Sequence, residues 1–450
     1  MSSPASIAAV DTSLAEPRNT PRQVAIASLV GTAIEFYDYY IYATAAVLVF
    51  SSQFFPKADP SAATLLSLST LALAFLARPI GSALFGHFGD RIGRKRTLVA
   101  SLLTMGLSTV AIGLLPTYER IGIWAPVLLC LFRIGQGIGL GGEWGGAALV
   151  ATENAPKGKR GLFGSFPQLG APIGLFSANA VFFLVSYFLG HDAMVAWGWR
   201  IPFLLSVALV AVGLYVRLNL HESQVFRQAE AQGRKLHTPV ISVFRKHGGA
   251  VLQGMLVMTT TYVIFYLMTA FVQVYSKSPV ALSAAGHATG LGIPANTFTG
   301  ILLIGAIVFG ICTSIGGILA DRYGRRHWLI GVTVAIMGFG LAMPSFLGGA
   351  DAWTVLAFIV VGLGLMGFTF GPMAALLPEL FPTEVRYSGA SLAYNLASIV
   401  GASVPTLVAL DLNKAYGLWG VGLYLACNGL LTLGALLFTR ETRDLDLANV

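Results

Sequence analysis

A charged phrase occurs twice in this chain, GHFGDRIGRKR at Gly86 to Arg96 and GGILADRYGRRH at Gly316 to His327, each set between long apolar runs. Superposing Asp90 on Asp321, Arg91 on Arg322, Gly93 on Gly324 and Arg94 on Arg325 gives one constant offset of 231 residues in a chain of 450. A single long-period repeat of this kind divides the chain into two related halves.

The solvent of folding follows from composition. Hydrophobic residues make up 55% and charged residues only 11%, against a charged share of about 25% in soluble domains. Apolar stretches of 18 or more residues recur along the length, each able to cross a ~30 Å hydrocarbon core at ~1.5 Å per residue. Twelve are expected: 24–50, 62–86, 97–116, 122–149, 161–188 and 199–217 in the first half, then 248–275, 297–319, 328–347, 353–376, 387–410 and 417–438 in the second. The runs are continuous and rich in Leu, Ala and Gly, not short and alternating, so an all-α integral membrane fold is predicted and a barrel is excluded. The expected organisation is a cytoplasmic tail at 1–22, a six-helix half at 23–218, a cytoplasmic linker at 219–247, a second six-helix half at 248–439 and a short tail at 440–450.

Basic residues set the orientation. With both termini cytoplasmic, most of the 28 Lys and Arg fall inside and only Lys57, Arg120, Arg200, Lys277 and Lys414 fall outside. The net charge of +8 then reports topology rather than a nucleic-acid surface. Cys130, Cys312 and Cys427 lie in apolar runs without metal-ligand spacing, and the seven His fall in loops or at span edges. No metal or organic cofactor is expected, and proton chemistry at the membrane centre falls to carboxylates.

An acid in hydrocarbon costs several kcal/mol unless paired, hydrated or protonated. Glu35 and Asp38, in GTAIEFYDYYIYAT, share one face of the first helix at i, i+3, with Tyr42 near the same stripe. Their mutual repulsion and burial favour holding a proton on one of them. Arg133 in CLFRIGQGIGLGGEWGG reaches the same depth from the opposite face and is the expected partner, free to exchange a carboxylate of the protein for one of a ligand. Glu143 lies ten residues, ~15 Å of helix, further along, and is expected to meet Arg78 or an arginine near Arg160, in packing or in proton handling. The second half has no carboxylate at mid-span. It offers Tyr262, Tyr266, Gln273 and Asn395, which with Tyr42, Gln136 and Gln168 of the first half are candidate ligand-orienting groups.

The short loops carrying the repeat place acids beside arginines at one rim. Asp90, Arg91, Arg94, Asp321, Arg322 and Arg325 are expected to form a conformational latch, joined by Glu153 and Glu379 from the matched phrases ENAPKGKR and PELFPTEVR. Span five, GSFPQLGAPIG, is expected to bend at its Gly and Pro residues.

The two DR-x-GR loops resemble the loop signature of the major facilitator superfamily. GTAIEFYDYY, ARPIGSALFGHFGDRIGRKR, RIGQGIGLGGEWGGAAL and AWGWRIPF together resemble the metabolite:proton symporter family, over about Ser28 to Thr442. That resemblance implies a carrier, not an enzyme: a monomer in a bacterial inner membrane that imports a small carboxylated metabolite with protons by rocker-switch alternating access. Shikimate and di- or tricarboxylates fit that description. Import of a zwitterion such as proline or betaine, or proton-coupled export, are the alternatives.

Overall fold

The computed structural model describes residues 20–58, 60–219, 239–349 and 351–445. Most of the expected N-terminal tail and of the linker, and the end of the C-terminal tail, lie outside the described residues.

Helix α1 (Pro21–Ala45) begins at a capping box: Gln23 N–H donates to Thr20 Oγ1 at 3.2 Å and Thr20 N–H donates to Gln23 Oε1 at 2.9 Å, with Pro21 in the first turn. It continues through a wide turn at Ala46–Phe50 to Phe54. The first half is completed by α2 (Pro60–Ile92), α3 (Arg94–Leu114), α4 (Trp124–Glu153), α5 (Arg160–Leu189) and α6 (Met194–Leu218). A short surface helix, Pro239–Lys246, leads into α7 (Gly248–Lys277), α8 (Ala295–Tyr323), α9 (Arg325–Leu341) and α10 (Ala352–Glu379). Helix α11 starts at Arg386, and α12 spans 418–438.

Nine helical runs among the described residues are long and apolar enough to cross a bilayer. Three features reconcile these with twelve spans. Helix α1 is diluted by Glu35, Asp38 and its tyrosines; α9 has only 17 residues; and the run Thr383–Phe438 is two spans joined at Gly417, whose φ of +67° breaks the helix.

The repeat has a matching backbone role in each half. Gly93 and Gly324 adopt φ of +105° and +92°, turning α2 into α3 and α8 into α9 within one residue. Only glycine takes this conformation without a Cβ penalty. Helix α5 breaks at Leu169, after Pro167, into Arg160–Gln168 and Gly170–Leu189. The halves meet along α2 against α11 and α5 against α8 and α10. Gly137 and Gly141 let the α4 backbone approach that of α2, so that a Cβ on Gly137 would lie 2.7 Å from Ala74 Cα.

Candidate functional site

Away from the rim, the buried charge lies on α1, α2, α4 and α6. Glu35 is 3% exposed and Asp38 1% exposed, yet they serve different neighbours. Asp38 accepts a hydrogen bond from Ser206 Oγ of α6 at 2.5 Å. Neither carboxyl oxygen of Glu35 has a hydrogen-bond partner among the described residues, and the side chain borders a small cavity shared with Phe36, Arg78, Leu140, Trp144 and Tyr394.

The expected ion pair from Arg133 to these acids is not formed. Arg133 Nη1 donates to Gln136 Oε1 at 2.9 Å, one turn along its own helix, and Gln136 Nε2 in turn donates to Thr109 Oγ1 at 2.8 Å. The guanidinium lies over the rings of Tyr42 (4.0 Å) and Tyr39 (4.8 Å), which occupy its approach to α1. Arg78, from α2, lies over the same Tyr39 ring and over Phe75, each at 4.7 Å. Two buried guanidiniums thus share one tyrosine, and no carboxylate among the described residues forms a salt bridge with either. Tyr42 is tied down by its hydroxyl, which donates to Thr70 Oγ1 at 2.7 Å.

The second half closes the site with neutral groups. The Tyr39 and Tyr266 hydroxyls are 3.2 Å apart. Trp144 stacks on Tyr394 at 3.9 Å with planes 5° apart, and Tyr262 lies 5.4 Å from Tyr394. Trp144 Nε1 donates to Gln168 Oε1 at 2.7 Å, while Gln168 Nε2 reaches across to Phe370 O at 2.8 Å. Asn395 Nδ2 crosses the other way to Gly141 O at 3.1 Å. Gln273 is not part of this assembly: it sits in the final turns of α7, between Thr269 and Lys277.

Glu143 departs from its expected partners. Its cation is Arg217, at the end of α6, whose Nη2 donates to Glu143 Oε1 and whose Nη1 donates to Leu98 O at 2.5 Å. Ser101 Oγ donates to Glu143 Oε2 at 2.9 Å. In the sequence Arg217 reads as one more basic residue at a span end; the fold turns it inward, to 3% exposure.

At the rim each repeat turn supplies an acid to a helix start in the opposite half. Asp90 accepts from Tyr387 N–H (3.3 Å), Ser388 N–H (3.1 Å) and Ser388 Oγ (2.7 Å) at the start of α11. Asp321 accepts from Gly161 N–H (2.8 Å) and Leu162 N–H (2.9 Å) at the start of α5. Both use the free donors and positive end of a helix dipole. Glu153 pairs with Arg94 (2.8 Å) and, across the halves, lies 3.9 Å from Arg386. Glu379 pairs with Arg325 (3.0 Å) and, across the halves, with Arg160 (3.3 Å). Arg91 and Arg322 do not join this network: both are exposed, Arg91 beside His87 at 3.3 Å and Arg322 over the Tyr323 ring at 5.4 Å.

Two six-helix halves, a charged pocket at their junction and a pseudo-symmetric rim define a membrane transport protein. The chain belongs to the Major Facilitator Superfamily, whose family model matches residues 28–405. It is 56% identical over 428 residues to the inner membrane metabolite transport protein YhjE of Escherichia coli, covering 95% of this chain and 96% of the relative. Identity to the Escherichia coli shikimate transporter is 35% over 433 residues, covering 94% and 95%. The proline/betaine transporter of Salmonella typhimurium is 33% identical over 431 residues, covering 91% of this chain and 82% of its own. The fold matches the proton:xylose symporter XylE, with a TM-score of 0.72 at 19% identity over 95% of this chain and 98% of that one.

Proposed function

We propose that this metabolite transporter is a proton-coupled symporter that brings a small carboxylated compound across a bacterial inner membrane by alternating access. The observation that carries this reading is a mismatch of partners. Among the described residues neither Arg78 nor Arg133 forms a salt bridge, although Arg78 faces Glu35 across a small cavity, and Glu35 is buried without a hydrogen bond. An unpaired charge in a low-dielectric site is costly. A substrate carboxylate supplies what the arginines lack, and a proton supplies what Glu35 lacks.

The cycle follows from these needs. The substrate anion binds between Arg78 and Arg133, with its body against Tyr39, Trp144, Tyr394 and Tyr266. Protons on Glu35 and Asp38 keep those acids from competing for the guanidiniums. The loaded site then opens at the rim, which is taken as cytoplasmic with both termini on that side, once Asp90, Asp321, Glu153 and Glu379 release the helix starts and arginines of the opposite half. A monomer suffices, since each element named belongs to one chain. The 35% identical relative is a shikimate transporter, which favours an organic acid over a sugar as the first cargo to test.

The test is proton entry into proteoliposomes loaded with a pH dye, on addition of shikimate, α-ketoglutarate, citrate, proline or glycine betaine, with wild type and Asp38→Asn. The reading expects proton entry with one of the carboxylates in wild type and at least a tenfold smaller signal in the variant. Proton entry with a zwitterion alone, or only when preloaded substrate leaves, would replace it.

A further inference from the structure

The Arg217–Glu143 pair lies one helix turn from the acid that the proposed cycle protonates, and no step of that cycle uses it. The guanidinium packs against α1 at Gly31: a Cβ there would fall 2.6 Å from Nη2 and 3.2 Å from Nε. Glu35 is four residues further along the same helix, on the same face. On its far side, the ion pair borders a second small cavity lined by Ala27, Ser28, Leu98, Ala147 and Val150. Ser28 Oγ, on a residue only 5% exposed, has no hydrogen-bond partner among the described residues. An unsatisfied hydroxyl beside a carboxylate and a guanidinium is a site for a water.

We propose that Arg217 is a switching cation that exchanges Glu143 for Glu35, and that Glu143 receives the proton Glu35 gives up and passes it toward the rim. The inference rests on Glu35 as the proton carrier. Charge is balanced throughout. Before the exchange Glu35 is a neutral acid and Glu143 is the carboxylate paired with Arg217. As the O–H bond at Glu35 breaks, the new carboxylate draws Arg217 along α1, and Glu143, left without its cation, takes the proton through a bridging water. One carboxylate and one guanidinium remain paired at every stage, so no isolated charge is left in the protein interior. A fresh proton taken up by Glu35 from the open site then releases Arg217 back to Glu143, whose own proton passes to the water at Ser28, and the first arrangement is restored. Asp38 and Arg78 are the other charges facing Glu35, with Tyr394 across the cavity, and Ser101 faces Glu143.

Infrared spectra of the full-length protein in lipid, without substrate, read protonated carboxyls directly and need no knowledge of the cargo. Glu35→Gln assigns the Glu35 band by difference at neutral pH. The switch expects that band to vanish in Glu143→Gln as well, because Arg217 is then released to ionise Glu35. A Glu35 band of unchanged intensity in Glu143→Gln overturns the switch while leaving Glu35 as the carrier. If Glu35→Gln removes no band, the carrier assignment itself fails. Gly31→Val provides the second arm with Glu143 intact: its side chain fills the path of Arg217, so the Glu35 band must persist to higher pH than in wild type. A band that titrates as in wild type refutes the exchange.

Discussion

The two halves of this protein are alike at the rim and unlike at the centre. At the rim, Asp90 on the start of α11 and Asp321 on the start of α5 are mirror arrangements, and Arg94–Glu153–Arg386 answers Arg325–Glu379–Arg160. At the centre the first half holds Glu35, Asp38, Arg78, Arg133, Glu143 and Arg217, whereas the second half meets them with Tyr262, Tyr266, Tyr394 and Asn395. Opening and closing is a motion of one half against the other, so both halves need equivalent latches. Charge transfer needs only one site, and duplicating buried ions would add desolvation cost without adding coupling. Structural symmetry serves the motion and its absence serves the chemistry.

The sharpest way to break this comparison is to neutralise the carrier. Glu35→Gln is expected to abolish concentrative uptake driven by a pH gradient, a fall of at least 100-fold in accumulation, while exchange of labelled for unlabelled cargo survives. Equal loss of both would mean that Glu35 builds the binding site and does not couple it to protons. Arg78→Lys and Arg133→Lys come next. A lysine keeps the charge but lacks the planar fork that stacks on Tyr39 and grips a carboxylate with two bonds. Loss of about 2 kcal/mol of such bonding corresponds to a roughly 30-fold rise in KM in proteoliposome uptake, with both variants similar if the guanidiniums share one ligand.

The rim supplies the test of symmetry. Asp90→Asn and Asp321→Asn each weaken hydrogen bonds from charged to neutral at a helix start, at about 1–2 kcal/mol. Each is expected to shift the resting population toward rim-open by roughly 5- to 30-fold, read by thiol labelling of a cysteine placed on the rim face of α5 or α11. The two shifts should agree within a factor of about three. A large difference would show that one latch dominates and that the repeat is mirrored in sequence more than in energy.

How much of this was legible in the chain depends on the range of the interaction. The twelve spans, the halves and the acids of the rim are carried by long apolar runs and by a repeated phrase, and the turn glycines Gly93 and Gly324 explain why that phrase repeats. Glu35, Asp38 and Arg133 stood out because charge within an apolar run is rare. Their pairing did not follow, since it depends on side-chain direction: the Tyr39 and Tyr42 rings of α1, not its carboxylates, meet Arg133, and Asp38 turns to Ser206. Arg217 was hidden because an arginine near a span end looks like any topological anchor. Its place beside Gly31 is set by how α6 packs on α1, which no local pattern encodes. Trp144 and Tyr394, 250 residues apart, meet only once the halves are joined.

The smallest expected effect marks where the rim symmetry ends. Glu441, beyond α12, caps the start of α9: its oxygens accept from Arg325 N–H at 2.9 Å and Arg326 N–H at 3.1 Å. Its partial burial acts to raise the pKa of its carboxyl, but the N–H groups of Arg325, Arg443, Arg326 and Thr442 outweigh that and hold it below the usual range. A lowered carboxylate contributes stability that is present above its unfolded pKa of about 4.3 and is lost as pH falls through the folded value. For a half-exposed group this amounts to about 0.3–1 kcal/mol. Glu441→Gln is therefore expected to lower Tm by about 1–3 °C at neutral pH and to narrow that difference toward zero as the pH approaches 3. A gap that stayed constant with pH would assign the effect to packing rather than to the charge on the helix start.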